Sequence, residues 1–476
     1  MSDSRNYSLK QLTRIQLRVA RQSRTILFLA SAITAILLTF FLRDSNFTNT
    51  QDYVLFLLFF AIGLWITEAI PPFAVGILIV GFLVFTIGNE NTMDAKRYVQ
   101  TWSDGVIWLF LGGFFLAEGM KKTKMDFQLL QLAAPKFGNQ AQNIVLGLMM
   151  ITAVLSMLMS NTATTAMMIA TVTPLLASVG KESPISKVLL LGIPSAAAIG
   201  GMGTIIGSAP NAIAVGALET INIKVSFFEW MLIGVPVALL LTYLFWKILI
   251  KKYKIKGEIL SLDFLNTTEE VSEFATEERI KKRIVTLVLA TTLLLWLTSQ
   301  WTKIPVAAVS GIPIVALTML GIIDADDVRA LPWDTLMLVA GGLALGLAIQ
   351  EQDIAEYFVS KISNFEVNAY VLLLIFALAS TLFSNFMSNT AATTILIPIA
   401  ISLLALTPEF APEVFPIVIG LCASCALLLP VSTPPNAIAF STGMLKQADF
   451  RLGGIFIGLV GPIVIILWTI LLLFLF

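Results

Sequence analysis

Residues 156–165 read Ser-Met-Leu-Met-Ser-Asn-Thr-Ala-Thr-Thr, and residues 384–393 read Ser-Asn-Phe-Met-Ser-Asn-Thr-Ala-Ala-Thr. Seven of the ten positions are identical, 228 residues apart. Each copy lies within a long apolar run, where Ser, Asn and Thr side chains are costly unless they find hydrogen-bonding partners. The same cost at matching places in two halves points to two halves of one polar site.

The chain around these motifs is greasy. Its 476 residues are 57% hydrophobic and 13% charged, with a mean hydropathy of +0.88. About 25% charged residues is usual for a soluble domain. The apolar runs are long enough for helices rather than barrel strands, so an all-α polytopic membrane protein is expected. The chain has no His, the side chain best suited to relaying protons near neutral pH. Its two Cys, Cys422 and Cys425, lie on an apolar segment with no other Cys or His to share a metal. They read as small buried helix residues.

Apolar segments fall at 25–42, 53–70, 73–89, 106–120, 140–178, 187–218 and 227–250, and again, after the charged loop Lys251–Arg283, at 284–301, 304–323, 335–350, 368–406, 414–443 and 453–476. The runs 140–178 and 368–406 are each 39 residues long with Ser-Asn-Thr near the middle. About 20 residues cross the hydrocarbon once, so each run is either two spans or a hairpin that returns to its own side. Landmarks recur in one order at offsets of 225 to 234: Ile70-Pro71 with Ile304-Pro305, Gly112-Gly113 with Gly341-Gly342, the Ser-Asn-Thr motifs, and Gly207-Ser-Ala-Pro-Asn-Ala-Ile-Ala214 with Ser432-Thr-Pro-Pro-Asn-Ala-Ile-Ala439. The reading is a duplication over 53–250 and 284–476, with an extra first span at 25–43 and a basic interfacial helix at 1–24. Five spans and one re-entrant hairpin per repeat (about 138–180 and 366–407) give an odd number of crossings. The second copy is then inverted, and about 11 transmembrane helices are expected.

Charge orients this plan. With the N-terminus and loop 251–283 cytoplasmic, 24 of the 30 Lys and Arg residues fall on the cytoplasmic side and 6 outside. That asymmetry places the C-terminus outside; the membrane expected is the plasma (inner) membrane.

A hairpin tip at mid-membrane supplies helix N-termini, which favour anions, and unwound carbonyls, which favour cations. Asn can present its NH₂ to a carboxylate and its carbonyl to a cation. The Gly207 and Ser432 segments read as helix breaks: Gly200, Gly201, Gly203 and Gly207 loosen one, and Pro430, Pro434 and Pro435 interrupt the other. Both are followed by Asn-Ala-Ile-Ala, where a helix can resume. Taken singly, such breaks are more often packing glycines and kinks; their pairing beside paired Ser-Asn-Thr tips favours a site. No charged residue lies between Phe137 and Gly180, and only Glu409 and Glu413 between Val367 and Leu445. An anion there needs a compensating charge, and hydroxyl, amide and carbonyl oxygens suit Na⁺. The same scarcity argues against an enzyme, because Ser160 and Ser388 have no nearby base. A channel would need a continuous pore, which two closed hairpins do not supply.

The paired Ser-Asn-Thr motifs, the Ser four residues before each, and the Pro-Pro-Asn-Ala-Ile segment resemble the divalent-anion/sodium symporters, the INDY-type di- and tricarboxylate transporters. The resemblance covers nearly the whole chain. It implies one sodium site at Ser156, Ser160, Asn161 and Gly207, and another at Ser384, Ser388, Asn389 and Ser432. It implies substrate contacts from Asn161, Thr162, Ser208, Asn389, Thr390, Thr433 and Pro434. It further implies a homodimer in membrane lipid, an elevator motion, and sodium-coupled import of C4 dicarboxylates such as succinate, malate or fumarate. Nucleic acid is not an expected partner. A sodium-independent exchanger, or a symporter of citrate or sulfate, remains the alternative.

Overall fold

In a computed structural model, residues 2–87, 92–180, 182–260, 275–354, 357, 368–404, 407 and 409–475 are described. The side chains of 2–21, the loop 261–274, Lys181, Lys361 and the boundary 366–367 of the second expected hairpin lie outside the described residues. The described chain is helical, with a single isolated bridge, Gln140 with Ile259, as its β pairing. Nine described helices are long and apolar enough to cross a membrane. Five shorter apolar ones accompany them, among them Ala141–Ser156 and Asn389–Ser402. The polypeptide forms two compact units, Met1–Trp102 with Met337–Lys361, and Ser103–Leu336 with Ile362–Phe476.

In the first unit a single helix runs from Ser2 to Leu42, so the basic tail and the first span form one element rather than the two expected. Ile26, Ile33, Phe40 and Phe41 on this helix are more than half exposed. Such a surface is stable against lipid tails and a liability in water. The next helix, Asn49–Thr67, opens with a capping box in which Thr48 and Gln51 satisfy each other's backbone N–H groups. Helix Pro72–Ile87 crosses the 337–351 part of helix Trp333–Glu351 so closely that a Cβ on Gly341 would lie 2.2 Å from Gly76 Cα. Small residues allow this backbone approach, which gives membrane helices their packing contact.

The second unit contains an equivalent crossing. A Cβ on Gly112, in helix Gly105–Lys122, would lie 2.7 Å from Ser310 Cβ, in helix Val306–Met319. Gly76 is offset from Ser310 by 234, and Gly112 from Gly341 by 229, which are the offsets of the sequence landmarks. At the centre of this unit lies helix Pro184–Gly200, buried on nearly every side among Ala141–Ser156, Asn161–Val179 and Phe227–Tyr253. Small and aliphatic residues all round it (Leu189, Leu190, Ile193, Ala196, Ala197) explain why it needs no solvent- or lipid-facing stripe. Cys422 and Cys425 are buried and free in this unit, as expected.

Candidate functional site

Both Ser-Asn-Thr motifs are helix starts. Ser160 is the N-cap of Asn161–Val179, and its Oγ accepts from Ala163 N at 3.2 Å. Ser388 is the N-cap of Asn389–Ser402, and its Oγ accepts from Ala391 N at 3.1 Å. Each Ser thus satisfies one of the orphan donors of a first turn. The following Asn and Thr stand at the positive end of the helix dipole.

The second pair of motifs breaks and restarts its helices. After Gly200 the chain tightens into two 3₁₀ turns, Gly201–Gly203 and Ile205–Gly207, and resumes as Ala209–Thr220 behind Ser208. In the other half, helix Val414–Ala423 gives way to irregular chain and resumes as Pro434–Ser441, with Thr433 as N-cap. Pro210, Pro434 and Pro435 sit in first turns, where the missing N–H is no loss.

These four helix starts line one cleft of about 560 Å³, wholly within the second unit. Ser160, Asn161 and Thr162 line it from the first start, Ser208 from the second, Asn389 from the third, and Thr433 with Pro434 from the fourth. Gly207 also reaches the lining, whereas Ser156, Ser384, Ser388, Thr390 and Ser432 do not. Ser160 and Thr162 are exposed there, and Asn161 and Asn389 are half-buried. The cleft offers donors, positive helix ends and hydroxyls, the chemistry that receives an anion.

Charge enters from elements that the motifs do not name. Glu118, Lys121 and Asp334 line the same cleft, with Lys121 Nζ and Glu118 Oε1 paired at 3.1 Å. The uncharged site expected from the motif segments therefore has a charged margin, the Glu118–Lys121 pair and Asp334, brought in by helices distant in sequence. Next to Lys121, Lys122 bridges to Asp324 and Asp327. Asp324 is drawn down to about 2, first by the Asp327 backbone N–H and then by Lys122.

Behind the lining, the two halves differ. Ser156 Oγ donates to Asn161 Oδ1 at 2.6 Å, and Ser156 is fully buried. A Cβ on Gly201 would lie 2.6 Å from Asn161 Oδ1 and 2.9 Å from Gly207 O, so glycine is required at that approach. Amide, hydroxyl and backbone oxygens thus gather at the first expected cation position, and Gly201 belongs to the group although the sequence reading assigned it only to loosening the helix. In the second half, Ser384 Oγ and Asn389 Oδ1 are buried with no hydrogen-bond partner among the described residues. Ser432 Oγ turns instead to Asn385 Oδ1 at 3.1 Å, which also accepts from Leu428 N at 2.8 Å. Among the described residues, no cluster of three or more His, Cys, Asp or Glu forms a metal-binding group.

Asn385 was missed because it departs from the repeat. Its partner by position is Met157, which offers only backbone. In the first half the tie runs the other way, as Thr204 Oγ1 donates to Met157 O and accepts from Gly207 N. The counterpart of Thr204 is Leu429. The first half fastens its break to its Ser-Asn-Thr loop through Thr204 on the break, and the second through Asn385 on the other partner, joined by Ser432 from the break. The unmatched Asn in an otherwise matched motif was the available signal.

Fold and cleft together define a polytopic helical membrane protein with a polar cleft lined by helix starts. The chain belongs to the citrate transporter family, whose sequence profile matches residues 62–420 and 301–476. This agrees with the divalent-anion/sodium symporter resemblance read from the motifs. Among similar proteins, the sodium-dependent dicarboxylate transporter SdcS of Staphylococcus saprophyticus is 29% identical over 462 residues, covering 89% of this chain and 86% of SdcS. An uncharacterized transporter of Haemophilus influenzae is 33% identical over 435 residues, covering 86% and 89%. Two solved structures share the fold at low identity. Neisseria gonorrhoeae MtrF, described as illuminating a class of antimetabolite efflux pumps, has a TM-score of 0.58 at 13% identity over 82% of this chain and 86% of its own. The Alcanivorax borkumensis YdaH transporter has a TM-score of 0.53 at 12% identity over 84% and 97%.

Proposed function

We propose that this protein imports C4 dicarboxylates together with Na⁺ across the plasma membrane. The observation that carries the reading is the convergence of four helix N-termini on one cleft in which Lys121, the one cationic side chain lining it among the described residues, is already paired with Glu118. Four positive helix ends with Asn161, Thr162, Ser208, Asn389 and Thr433 would receive two carboxylates. Na⁺ held by Ser156, Ser160, Asn161 and Gly207, and by Ser384, Ser388, Asn389 and Ser432, would supply the compensating charge. The name of the SdcS relatives, sodium-dependent dicarboxylate transporter, supports both the ion and the substrate class.

The duplication supports inverted repeats, and one arm of each expected hairpin, the 16-residue Ala141–Ser156 and the 14-residue Asn389–Ser402, is short for a full span, while the other arms, Asn161–Val179 and Ala369–Phe386, are of span length. With the N-terminus cytoplasmic, Lys121 and the Ala330–Thr335 segment lie at the cytoplasmic ends of their helices, and the cleft opens inward. Transport then proceeds by an elevator movement of the hairpins, in a homodimer.

The test is uptake of labelled succinate into proteoliposomes under an inward Na⁺ gradient. Sodium-coupled import predicts that uptake collapses when Na⁺ is replaced by choline. Uptake that persists without Na⁺, given internal dicarboxylate, makes the protein an exchanger. Competition by unlabelled citrate stronger than by malate moves the substrate to the tricarboxylates after which the family is described.

A further inference from the structure

The Asn-Ala-Ile-Ala segments after both breaks are left without a role by the site described above, yet each places its Asn at the same point. Asn211 and Asn436 are the third residues of the restarting helices Ala209–Thr220 and Pro434–Ser441. They are 0% and 1% exposed. Asn211 Nδ2 donates to Gly201 O and to Thr204 O, both at 2.8 Å. Asn436 Nδ2 donates to Leu429 O at 3.1 Å, and Leu429 is the positional counterpart of Thr204. Neither Oδ1 has a hydrogen-bond partner among the described residues.

These bonds do more than satisfy an amide. The broken stretch leaves backbone carbonyls without helical partners in a buried setting, where each unmade bond is expensive. Asn211 uses both amide hydrogens to tie the start of the first 3₁₀ turn to the start of the second. Those two turns bring Gly201 against Asn161, and Gly207 against Gly201. With its donors spent on Gly201 O and Thr204 O, Asn211 fixes the path of the chain while leaving Gly207 O unbonded by it. Asn436 makes a single equivalent bond in the second half, where Asn385 shares the fastening through Leu428 N and Ser432.

We infer that Asn211 and Asn436 are positioning residues: they clamp the unwound backbone of each break in the shape that serves the cation site beside it, with Asn211 the stronger clamp. The inference rests on the sodium-coupled reading for its consequence, though not for the clamp itself.

Two measurements on the full-length protein separate these. Hydrogen–deuterium exchange followed by mass spectrometry reads the clamp directly. Asn211→Ala should speed exchange in peptides covering 201–208 by about tenfold, and Asn436→Ala in peptides covering 428–433 by about threefold, as two bonds and one bond are lost. Unchanged exchange there, or a uniform rise across the protein, overturns the clamp. Sodium titration of succinate uptake in proteoliposomes reads the positioning role. The half-saturating Na⁺ concentration should rise about tenfold for Asn211→Ala and about threefold for Asn436→Ala, while the succinate KM at saturating Na⁺ changes less than about twofold. Asn211→Ser, which retains one donor, should fall between wild type and Asn211→Ala in both measurements. Faster local exchange with an unmoved sodium titration overturns the positioning role. A wild-type protein indifferent to Na⁺ also overturns that role, and marks the failure as one of the sodium-coupled reading because the exchange result stands apart from it.

Discussion

Ser156 and Ser384 occupy matched positions and are both fully buried, yet their hydroxyls are treated differently. Ser156 Oγ donates to Asn161 Oδ1 at 2.6 Å, whereas Ser384 Oγ has no partner among the described residues. We predict opposite effects of the same substitution in sodium-free protein. Ser156→Ala deletes a buried hydrogen bond and strands an amide oxygen, which costs about 1–3 kcal/mol. Ser384→Ala deletes a hydroxyl whose burial is uncompensated, so the sodium-free protein should gain about 1 kcal/mol. Sodium changes the balance. An ion at 100 times its Kd stabilises by about 2.7 kcal/mol, and a tenfold loss of affinity removes about 1.4 of that. Ser384→Ala should therefore be more stable than wild type in choline chloride and equal or less stable in saturating NaCl. Thermal unfolding of detergent-purified protein at constant ionic strength measures this. A 150–250-residue domain shifts by about 2–4 °C per kcal/mol, and a longer chain by less, so changes of roughly 1–2 °C are expected. If Ser384→Ala lowered sodium-free stability as much as Ser156→Ala and left the sodium increment intact, the assignment of these oxygens to a cation would be refuted.

Three further predictions concern the lining and the residues behind it. Asn161→Ala and Asn389→Ala should each abolish sodium-coupled succinate uptake while the protein still inserts and purifies as a monodisperse species; full transport by either variant removes the shared-site reading. Thr162→Ala should raise the succinate KM about fivefold by removing one hydrogen bond to a charged group, with a smaller rise for Thr390→Ala, which lies off the cleft lining. Both should move the sodium half-saturation less than the KM, and equal losses for both ligands would contradict that division. Gly201→Ala puts a methyl 2.6 Å from Asn161 Oδ1, so it should cost about 1–3 kcal/mol of stability and most of the sodium response; an Ala variant with wild-type sodium titration would show that the approach of Gly201 to Asn161 has no functional weight.

The sequence by itself determined the all-helical membrane class, because charge and apolar run length report directly on the surrounding solvent. It also located the Ser-Asn-Thr starts and the two breaks, since a polar triplet or a Gly- and Pro-rich interruption is conspicuous within hydrocarbon-length runs. Asn161, Thr162, Ser208, Asn389, Thr433 and Pro434 were legible in that way, and all line the cleft.

Tertiary structure alone decided what surrounds them. Glu118, Lys121 and Asp334 carry no motif, and they reach the cleft only because helices distant in sequence pack beside the breaks. Matched sequence positions also could not reveal that the halves are fastened differently. Thr204 holds Met157 in one, and Asn385 holds Leu428 and Ser432 in the other, because a hydrogen bond can be supplied from either side of a contact. Repetition records where polar groups are tolerated; which of them are satisfied, and which are left to face an ion, depends on distances of a few tenths of an ångström that only the packed chain sets.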